Sequence, residues 1–529
     1  MTDILRIALL IGWAALMIVP GKQALHMFQQ NRYELRRYLP WVKSRADSMA
    51  QNAFLVVLFY LPWIATAYLS QVLKTNKAIP LILIAGMAGI LIIREYKQKY
   101  IKPLVLTARV KRQIFVLALL DACLILVLAL TLPWPAVAII SPLMMISNWF
   151  ILALMALITA PIEDLVKHFY INQARSILKA HPDLIKIGIT GSYGKTSSKN
   201  ILDEVLGESY YVLASPASFN TPMGLTITIR EQLKSIHEVF IAEMGADKVG
   251  EIDFLTKFIQ PQYGIVTSIG PQHLNTFKSI ENIITEKMKM IENLPISGVG
   301  VLNKDNRYIR EYEILNKCRI LWYGIERADV DYQAIDIRYS PSGSQFTVRS
   351  AEGEYAFDTI LLGAHSIANI LAAITLGRVL GIGWEKLQKA VSQVNYIEHR
   401  LQLKKINGYT FIDNAFNSNP EGSRMSLEVL KGMPGKRIIV TPGMIELGDQ
   451  QDELNRKFGT YMIGCADEVI LVGKNQTRFI AQGLQDVGFP ATAVTIVDTV
   501  REAFTIVYTT ATKDDTILLE NDLPDAFNR

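Results

Sequence analysis

The spacing of apolar residues divides the chain into two regions. The first region contains long apolar runs at residues 4–20, 53–73, 78–93, 114–132 and 136–160. A run of about 20 apolar residues can span the hydrocarbon core of a membrane as a helix, because its backbone groups then bond internally. The pattern predicts a transmembrane region of about five helices over residues 1–160, a count that Pro142, inside the last run, can change by one.

The charges of the first region predict its orientation. Residues 1–160 hold 16 Lys and Arg against 5 Asp and Glu, and most of the basic residues fall in the connections 21–52 and 94–112. Short loops rich in Lys and Arg remain in the cytoplasm. Five spans with the N-terminus outside would leave both basic loops, and everything after residue 160, in the cytoplasm. We therefore predict a multi-pass protein of the cell membrane whose second region is cytoplasmic.

Two features of the apolar runs allow alternative interpretations. The first run is short enough for a signal peptide, but no small-residue cleavage site follows it before residues 21–23. Asp121 lies inside the fourth run, where an ionisable group is costly and is a functional candidate by default. The structural alternative is an Asp that is protonated or paired within the helix bundle.

The second region has the pattern of an α/β protein, with short β-branched runs that alternate with amphipathic stretches. Residues 161–529 hold 38 Lys and Arg against 44 Asp and Glu, so this region lacks the basic surface that nucleic-acid binding needs. The cysteines are widely separated, which argues against disulfide frameworks and structural zinc sites. They are Cys123, Cys318 and Cys465.

A candidate phosphate-binding loop opens the second region. A predicted strand over residues 184–190 runs into Gly-Ser-Tyr-Gly-Lys-Thr and then into a predicted helix over residues 197–206. Small residues let backbone N–H groups approach phosphates, and a helix N-terminus favours negative charge. Lys195 would neutralise the β- and γ-phosphates of ATP, and the Thr196 hydroxyl would coordinate Mg²⁺. The expected nucleotide-binding residues are Gly191, Ser192, Gly194, Lys195, Thr196 and Ser197.

This loop, Ile-Thr-Gly-Ser-Tyr-Gly-Lys-Thr at residues 189–196, resembles the ATP loop of the Mur ligase family. These are ATP-dependent amide ligases of peptidoglycan precursor synthesis, which act through an acyl phosphate. Further similar segments follow in the family's order, at residues 215–225, 243–246, 264–274, 363–373, 400–402 and 412–420. The resemblance implies a central ATP-binding sheet domain over residues 161–398 and a Rossmann-like C-terminal ligase domain over residues 399–529. The segment 215–225 resembles the substrate-side loop of the member that adds D-alanyl-D-alanine.

The resemblance also implies a metal site for Mg²⁺. Glu243 would join Thr196 at the ion bound to ATP, because Mg²⁺ takes hard oxygen ligands. His273 would bind a second metal, although a lone His is more often structural. Lys287 would be the family's carbamylated lysine, whose CO₂ adduct converts a cation into a carboxylate-like ligand, with Lys289 as the rival. Together with Lys195, His273 and Lys287 are the expected catalytic residues.

Other residues would contact the nucleotide if the resemblance holds. Asn303 stands at a predicted strand end, where it pairs with the adenine edge or only forms a turn. Asn369 matches the last Asn of a family helix motif, but Ser366 stands where that motif has its first Asn. Arg400 and Asp413 would reach the nucleotide when the last domain closes. Polar support from Asn417 and Asn419 is no more expected than a structural turn at those positions.

Two departures from the family leave the substrate open. The membrane runs take the place of the usual domain for the UDP-sugar, and residues 518–524 replace an expected Lys-Gly-Ser turn. The prediction is an ATP-dependent carboxylate–amine ligase with an amino acid or dipeptide as the amine. Its acceptor is either a cell-wall precursor, lipid-linked or not, or a related envelope substrate. The alternative is a membrane-anchored, nucleotide-binding scaffold or regulator without ligase activity. An ATP-driven transporter is disfavoured, because no ABC-type signature follows the phosphate loop.

Overall fold

The structure, a computed structural model, describes residues 3–44, 89–90, 92–93, 95–97, 103–131, 134–217, 219–340, 342–396, 401–415, 420–445, 447 and 450–521. The second apolar run and much of the third lie outside these residues, as do Arg400, Asn417 and Asn419. The contacts divide the chain into two units, Met1–Phe169 and Tyr170–Arg529.

The first unit is helical in the residues described. Its helices are α1 (Asp3–Gln30), α2 (Leu35–Ser44), α3 (Ala108–Thr131) and α4 (Trp134–Lys179), which continues into the second unit. The first, fourth and fifth apolar runs therefore lie in helices, and α4 extends through Pro142 and past the predicted domain boundary at residue 160. Within the described residues, one stretch, Asn148–Lys179, is long and apolar enough to cross a membrane by length and composition alone.

Helices α1 to α4 pack through an apolar core with polar contacts at its edge. Leu25 and Phe28 of α1, Tyr38 of α2 and Leu152 of α4 are buried in this core. The Glu163 carboxylate accepts hydrogen bonds from both Nε and Nη2 of Arg112, at 3.0 and 2.8 Å. Asp121 Oδ1 is buried and accepts no hydrogen bond from any residue that the structure describes.

The second unit begins with a nine-stranded sheet in the order β2-β3-β1-β4-β5-β6-β7-β8-β9. Strands β2 to β7 are parallel, and β7, β8 and β9 form an antiparallel extension. The strands are β1 (Ile185–Thr190), β2 (Val212–Ala214), β3 (Val239–Glu243), β4 (Tyr263–Val266), β5 (Val299–Asn303), β6 (Arg319–Gly324), β7 (Tyr332–Ser340), β8 (Gly343–Ser350) and β9 (Gly353–Thr359).

Helices cover both faces of this sheet, which explains why its parallel strands are almost continuously apolar. They are α5 (Lys195–Gly207), α6 (Pro222–Gln232), α7 (Glu251–Ile259), α8 (Leu274–Phe277), α9 (Ile280–Glu292), α10 (Arg307–Arg310), α11 (Ala364–Val379) and α12 (Trp384–Gln393). The core on one face includes residues of α5, α11 and α12, and the core on the other includes residues of α6, α7 and α9. Strand β1 lies between β3 and β4, so the chain reverses its direction of winding there, where open α/β sheets bind ligands.

The chain ends in a second, six-stranded sheet in the order β10-β11-β15-β12-β13-β14, in which only β10 is antiparallel to its neighbour. Its elements are β10 (Gln402–Ile406), β11 (Tyr409–Asn414), α13 (Pro420–Lys431), β12 (Arg437–Thr441), α14 (Gln451–Tyr461), β13 (Glu468–Val472), α15 (Arg478–Asp486), β14 (Val494–Val497), α16 (Val500–Thr510) and β15 (Thr516–Glu520). The prediction of an α/β protein with two sheets is confirmed.

Candidate functional site

The predicted phosphate loop lies between β1 and α5. Gly191 and Gly194 have positive φ angles of 151° and 81°, and a Cβ on Gly191 would lie 2.2 Å from Thr267 Oγ1. The sequence therefore needs glycine here for both conformation and space. The Lys195 ammonium donates to the carbonyl oxygens of Gly191 at 2.6 Å and Ser192 at 3.0 Å, so it lies across the loop where phosphates would bind.

The segment that follows β4 holds this loop in place. Thr267 Oγ1 donates to the Tyr193 carbonyl at 2.6 Å, and Ser192 N–H donates to the Ser268 carbonyl at 2.6 Å. The buried Ser192 hydroxyl donates to the Gly270 carbonyl and accepts from its N–H, both at 3.0 Å. Thr267, Ser268 and Tyr193 have no role among the residues predicted from the sequence. The available signal is the position of Thr267 and Ser268 directly after β4, a parallel strand next to β1, and the position of Tyr193 inside the loop itself.

Glu243 ends β3 and lies next to the phosphate loop, because residues of β1 and β3 pair in register up to Ile189 and Glu243. Its Oε1 accepts hydrogen bonds from the Thr196 hydroxyl at 3.1 Å and from Asn220 Nδ2 at 3.0 Å. Its Oε2 lies 3.4 Å from the Lys199 ammonium and accepts no hydrogen bond from the described residues. The structure thus brings together Thr196 and Glu243, the two residues expected at the ion. Lys199 and Asn220 were missed.

His273 and Lys287 lie beside the segment that follows β3. His273 Nε2 is 3.3 Å from Asp247 Oδ1, and Lys287 Nζ donates to the Ala246 carbonyl at 3.3 Å. Lys287 is buried, with its ammonium 5.8 Å from the centre of the Phe277 ring. Asp247, which follows the recognised acidic motif directly, was missed in the sequence. No group of three or more His, Cys, Asp or Glu side chains suited to a metal ion occurs in the part of the chain that the structure describes.

The environment of Lys287 lowers the pKa of its amine to about 7. Burial is the largest cause, because it disfavours the charged form, and the positive charge of Lys195 acts in the same direction. The carboxylates of Glu286, Asp247 and Glu251 oppose the shift. Lys195 and Lys287 therefore interact electrostatically. Lys289, the rival candidate, is only partly buried on the same helix.

The two predicted asparagines have different surroundings. Asn303, at the end of β5, donates to the Thr267 carbonyl at 3.2 Å and accepts from the Asp305 N–H at 3.0 Å, so its amide helps to form a turn beside the phosphate loop. Asn369, on α11, accepts from the Ser198 hydroxyl at 2.8 Å. Its Nδ2 is buried and has no hydrogen-bond partner among the described residues. The Asn369 side chain also lies close to the loop, since a Cβ on Gly194 would be 3.2 Å from its Oδ1.

Asp413 lies on the second sheet, at the carboxyl end of β11. It is buried, pairs with Lys404, and accepts a hydrogen bond from the Ala415 N–H at 3.2 Å. The residues expected to act with it, Arg400, Asn417 and Asn419, are outside the described part of the chain.

At the position of the expected Lys-Gly-Ser turn the structure has a buried acid, Glu520. Its carboxylate accepts hydrogen bonds from the hydroxyls of Ser423 at 2.8 Å and Ser426 at 2.6 Å, and from Asn414 Nδ2 at 2.8 Å. Glu520 thereby connects β15, α13 and β11 at the carboxyl edge of the second sheet. Of the predicted departure at residues 518–524, residues 522–524 lie outside the described part.

Curated proteins are similar to part of this chain. The UDP-N-acetylmuramoyl-tripeptide–D-alanyl-D-alanine ligase of Bacillus subtilis strain 168 is 31% identical over 304 residues, which are 56% of this chain and 64% of the relative. The enzyme of the same name from Escherichia coli K12 is 26% identical over 291 residues, 54% of this chain and 64% of the relative. The chain thus spans just under two thirds of the length of these curated relatives.

Solved structures share the fold. MurF from Acinetobacter baumannii superposes with a TM-score of 0.60 at 23% identity, covering 67% of this chain and 77% of that one. MurF ligase from Thermotoga maritima in complex with ADP gives 0.60 at 23% identity, covering 67% and 80%. Sequence models of the Mur ligase middle domain and of the Mur ligase, glutamate ligase domain match residues 189–377 and 399–520. Together these segments make up more than half of the sequence, and the chain belongs to the Mur ligase family.

Proposed function

We propose that the chain is an ATP-dependent ligase that joins a carboxylate to an amine as an amide. The observation that carries this proposal is the convergence of the phosphate loop, Glu243 and the buried Lys287 at one edge of the central sheet. A carboxylate needs a better leaving group than hydroxide, and ATP supplies it when bound by forming an acyl phosphate. The residues at this edge have the chemistry to hold phosphates and to neutralise their charge, which dominates such catalysis.

The residues fit ATP and Mg²⁺. Glycine at 191 lets the loop keep its shape for phosphate oxygens, since a Cβ there would collide with Thr267 and Ser268. The Lys195 ammonium, which donates hydrogen bonds to carbonyl groups of its own loop, would neutralise the β- and γ-phosphates when ATP binds. Thr196 and Glu243 would hold the ion, and Glu243 Oε2, which accepts no hydrogen bond from any residue that the structure describes, is the oxygen that would bind it. Few protein carboxylates suffice, because Mg²⁺ also binds water and phosphates.

Lys287 would act as a carbamate. Its lowered pKa leaves much of the amine neutral near pH 7.5, and a neutral amine can add to CO₂. The new N–C bond forms with loss of one proton, and the product is an anion in place of a cation. With His273, that anion would hold a second ion, which a protonated lysine would repel. The Asp247 carboxylate, 3.3 Å from the His273 ring, supports and orients the imidazole.

Further residues would complete the nucleotide site. The Asn369 Nδ2 group, buried without a hydrogen-bond partner in the described part of the chain, is a donor suited to a nucleotide acceptor. Asn303 would support the phosphate loop through its hydrogen bond to Thr267, and we favour this role over a contact to the adenine base. From the C-terminal domain, Arg400 and Asp413 would reach the nucleotide. Closure of that domain would exclude water and protect the acyl phosphate from hydrolysis.

The substrates follow from the relatives. The proposed acceptor is the terminal carboxylate of a peptidoglycan precursor or a related envelope substrate, and the proposed amine is an amino acid or a dipeptide such as D-alanyl-D-alanine, as in the names of the relatives. Residues 215–221, of which Ser218 is outside the described part, would face the acceptor, and we call them the acceptor loop. The Asn220 contact to Glu243 supports this assignment, because it joins the loop to the proposed ion site.

We further propose that the first unit anchors the ligase to the cell membrane, with the catalytic domains in the cytoplasm. The apolar runs, the basic loops between them and the apolar stretch Asn148–Lys179 support the anchor. A tethered ligase works at a high local concentration of any membrane-bound acceptor. This favours a lipid-linked precursor over a soluble one.

Phosphate release from ATP tests the function. The purified full-length protein is assayed with D-alanyl-D-alanine and either a UDP-linked or a lipid-linked muramoyl tripeptide, and amide formation is followed by mass spectrometry. We expect turnover that needs both substrates and that falls at least 100-fold in Lys195→Ala, in line with loss of a phosphate-binding charge. Lys257→Ala, which removes an exposed lysine of α7, is the matched control. Wild-type protein that forms no amide with any acceptor would contradict the ligase proposal and favour a scaffold.

A further inference from the structure

Lys199 places a buried positive charge between Glu243 and the acceptor loop. It lies one helical turn after Lys195 on α5, and 2% of its side chain is exposed. Its ammonium donates to the Ala217 carbonyl at 2.6 Å and lies 3.4 Å from Glu243 Oε2. A buried ammonium is costly unless charges and hydrogen bonds compensate it. These two contacts, together with the attraction of the Asp203 carboxyl group one turn further along α5, stabilise Lys199 at this position.

The Ala217 contact supports a strained part of the acceptor loop. Ala217 has a φ angle of 43°, in the left-handed region that residues with a Cβ rarely adopt. The two ends of the loop are attached to β3 and its continuation. Ser215 N–H donates to the Ile241 carbonyl and Gly245 N–H donates to the Asn220 carbonyl, both at 2.9 Å. Between these ends, the hydrogen bond from Lys199 holds the carbonyl group of Ala217. A strained backbone conformation such as that of Ala217 persists only when its surroundings enforce it.

The Glu243 contact affects the proposed ion site directly. One carboxylate oxygen faces both the Lys199 ammonium and the position available to a divalent ion, because Oε1 is occupied by Thr196 and Asn220. Two cations that share one carboxylate repel each other, and the repulsion is strong where water is excluded. Lys199 therefore neutralises Glu243 before an ion binds and competes with the ion afterwards.

We propose that Lys199 is a positioning residue that couples the ion site to the acceptor loop. It holds Glu243 and Ala217 in place at the cost of a weaker divalent-ion affinity. The inference rests on the proposed function in two respects, the ion at Glu243 and the acceptor at the loop. It predicts opposite effects of one substitution, tighter binding of the ion and weaker binding of the acceptor. A merely structural role would weaken both.

The test compares full-length wild type with Lys199→Met, which keeps most of the length of the side chain but removes its charge and its hydrogen bond to Ala217. Binding of Mn²⁺ in the presence of ADP is measured by electron paramagnetic resonance, and order in the acceptor loop by hydrogen–deuterium exchange of the peptide that contains it. We expect Mn²⁺ to bind about tenfold more tightly in Lys199→Met, the loop amides to exchange at least fivefold faster, and KM for the acceptor to rise. Lys257→Met, which breaks the exposed ion pair with Asp253, is the control and should change none of these.

Two further variants keep the test decisive. Lys199→Arg keeps the charge, so its Mn²⁺ affinity should stay within about twofold of wild type. Lys199→Gln leaves an N–H donor in the buried position and carries the ion measurement if Lys199→Met does not fold. Unchanged or weaker Mn²⁺ binding in the neutral variants would overturn the proposal for Lys199 alone. Wild-type protein that binds no Mn²⁺ with ADP would instead contradict the proposed function. Both binding measurements are independent of turnover.

Discussion

The lowered pKa of Lys287 makes the stability of the central domain depend on pH in a direction that can be tested. The Lys287 amine has a pKa of about 7 in the fold, against about 10.4 in an unfolded chain. Between these values the unfolded chain binds the proton and the folded protein does not. Stability rises with pH wherever the unfolded state binds more protons. Lys287 therefore destabilises the fold fully below pH 7, and the penalty decreases as the pH rises from 7 toward 10.

The magnitude follows from the size of the shift. One pH unit within this window changes the free energy of unfolding by about 1.4 kcal/mol for one proton. Allowing for partial titration near pH 7, the wild type should gain about 2 kcal/mol from Lys287 between pH 7 and pH 9. Lys287→Met has no proton to lose, so this gain should be missing from its profile. The difference between the two profiles isolates Lys287 from all other titrating groups.

The assay must report on the central domain within a chain of several domains. Met244 and Met290 are fully buried there, and peroxide oxidises them to the sulfoxide only when the domain opens. The urea concentration at which they become oxidised gives the stability at each pH, in CO₂-free buffer so that the amine remains unmodified. Lys289→Met, two residues further along α9, is the control and should retain the wild-type profile. A wild-type minus Lys287→Met difference that stays flat from pH 7 to 9 would refute the assigned environment of Lys287.

Three further results are expected. With ¹³C-labelled bicarbonate, native mass spectrometry and NMR should detect one carbamate in the wild type, and Lys287→Met but not Lys289→Met should lack it. Gly270→Ala should weaken ADP binding about tenfold in titration calorimetry, because its Cβ would lie 2.8 Å from the Tyr193 ring, and Gly270→Ala with Tyr193→Ser should recover most of the affinity. Glu520→Ala should destabilise the C-terminal domain by about 2 kcal/mol in urea denaturation, because it removes the carboxylate that accepts hydrogen bonds from the buried hydroxyls of Ser423 and Ser426 and from the Asn414 amide; a loss below about 0.5 kcal/mol would show that the remaining acceptors, such as the Ser423 carbonyl for Ser426, are sufficient.

The fold of the second region could be predicted from sequence because its signals are local. The glycines at 191 and 194 mark a turn that other residues cannot adopt, and the strand before them and the helix after them lie where the pattern places them. The contact between Thr196 and Glu243 could also be predicted, since Thr196 lies just after β1, Glu243 ends β3, and these two strands pair in one sheet.

Other parts of the site depend on contacts that no local pattern records. Lys199 reads as an ordinary helix lysine, and only the fold shows that it faces Glu243 and Ala217. The support that Ser268 gives the phosphate loop joins residues far apart in sequence. The predicted end of the membrane region at residue 160 falls inside α4, because the helix continues beyond the apolar run and buries Ile171, Ala174 and Leu178 in the core of the second unit. The roles of Arg400 and Asp413 remain predictions.

The path of the chain from Thr267 to His273 has a mechanical consequence. Thr267, Ser268 and Gly270 of this seven-residue segment form hydrogen bonds with the phosphate loop. The last residue of the same segment is His273, whose imidazole pairs with Asp247. The nucleotide and the second ion would therefore both depend on the position of this segment. Loss of its contacts to the phosphate loop would move His273, and loss of the His273 contact would move the phosphate loop. We expect the two ligands to depart together after each turnover, with a shared rate constant.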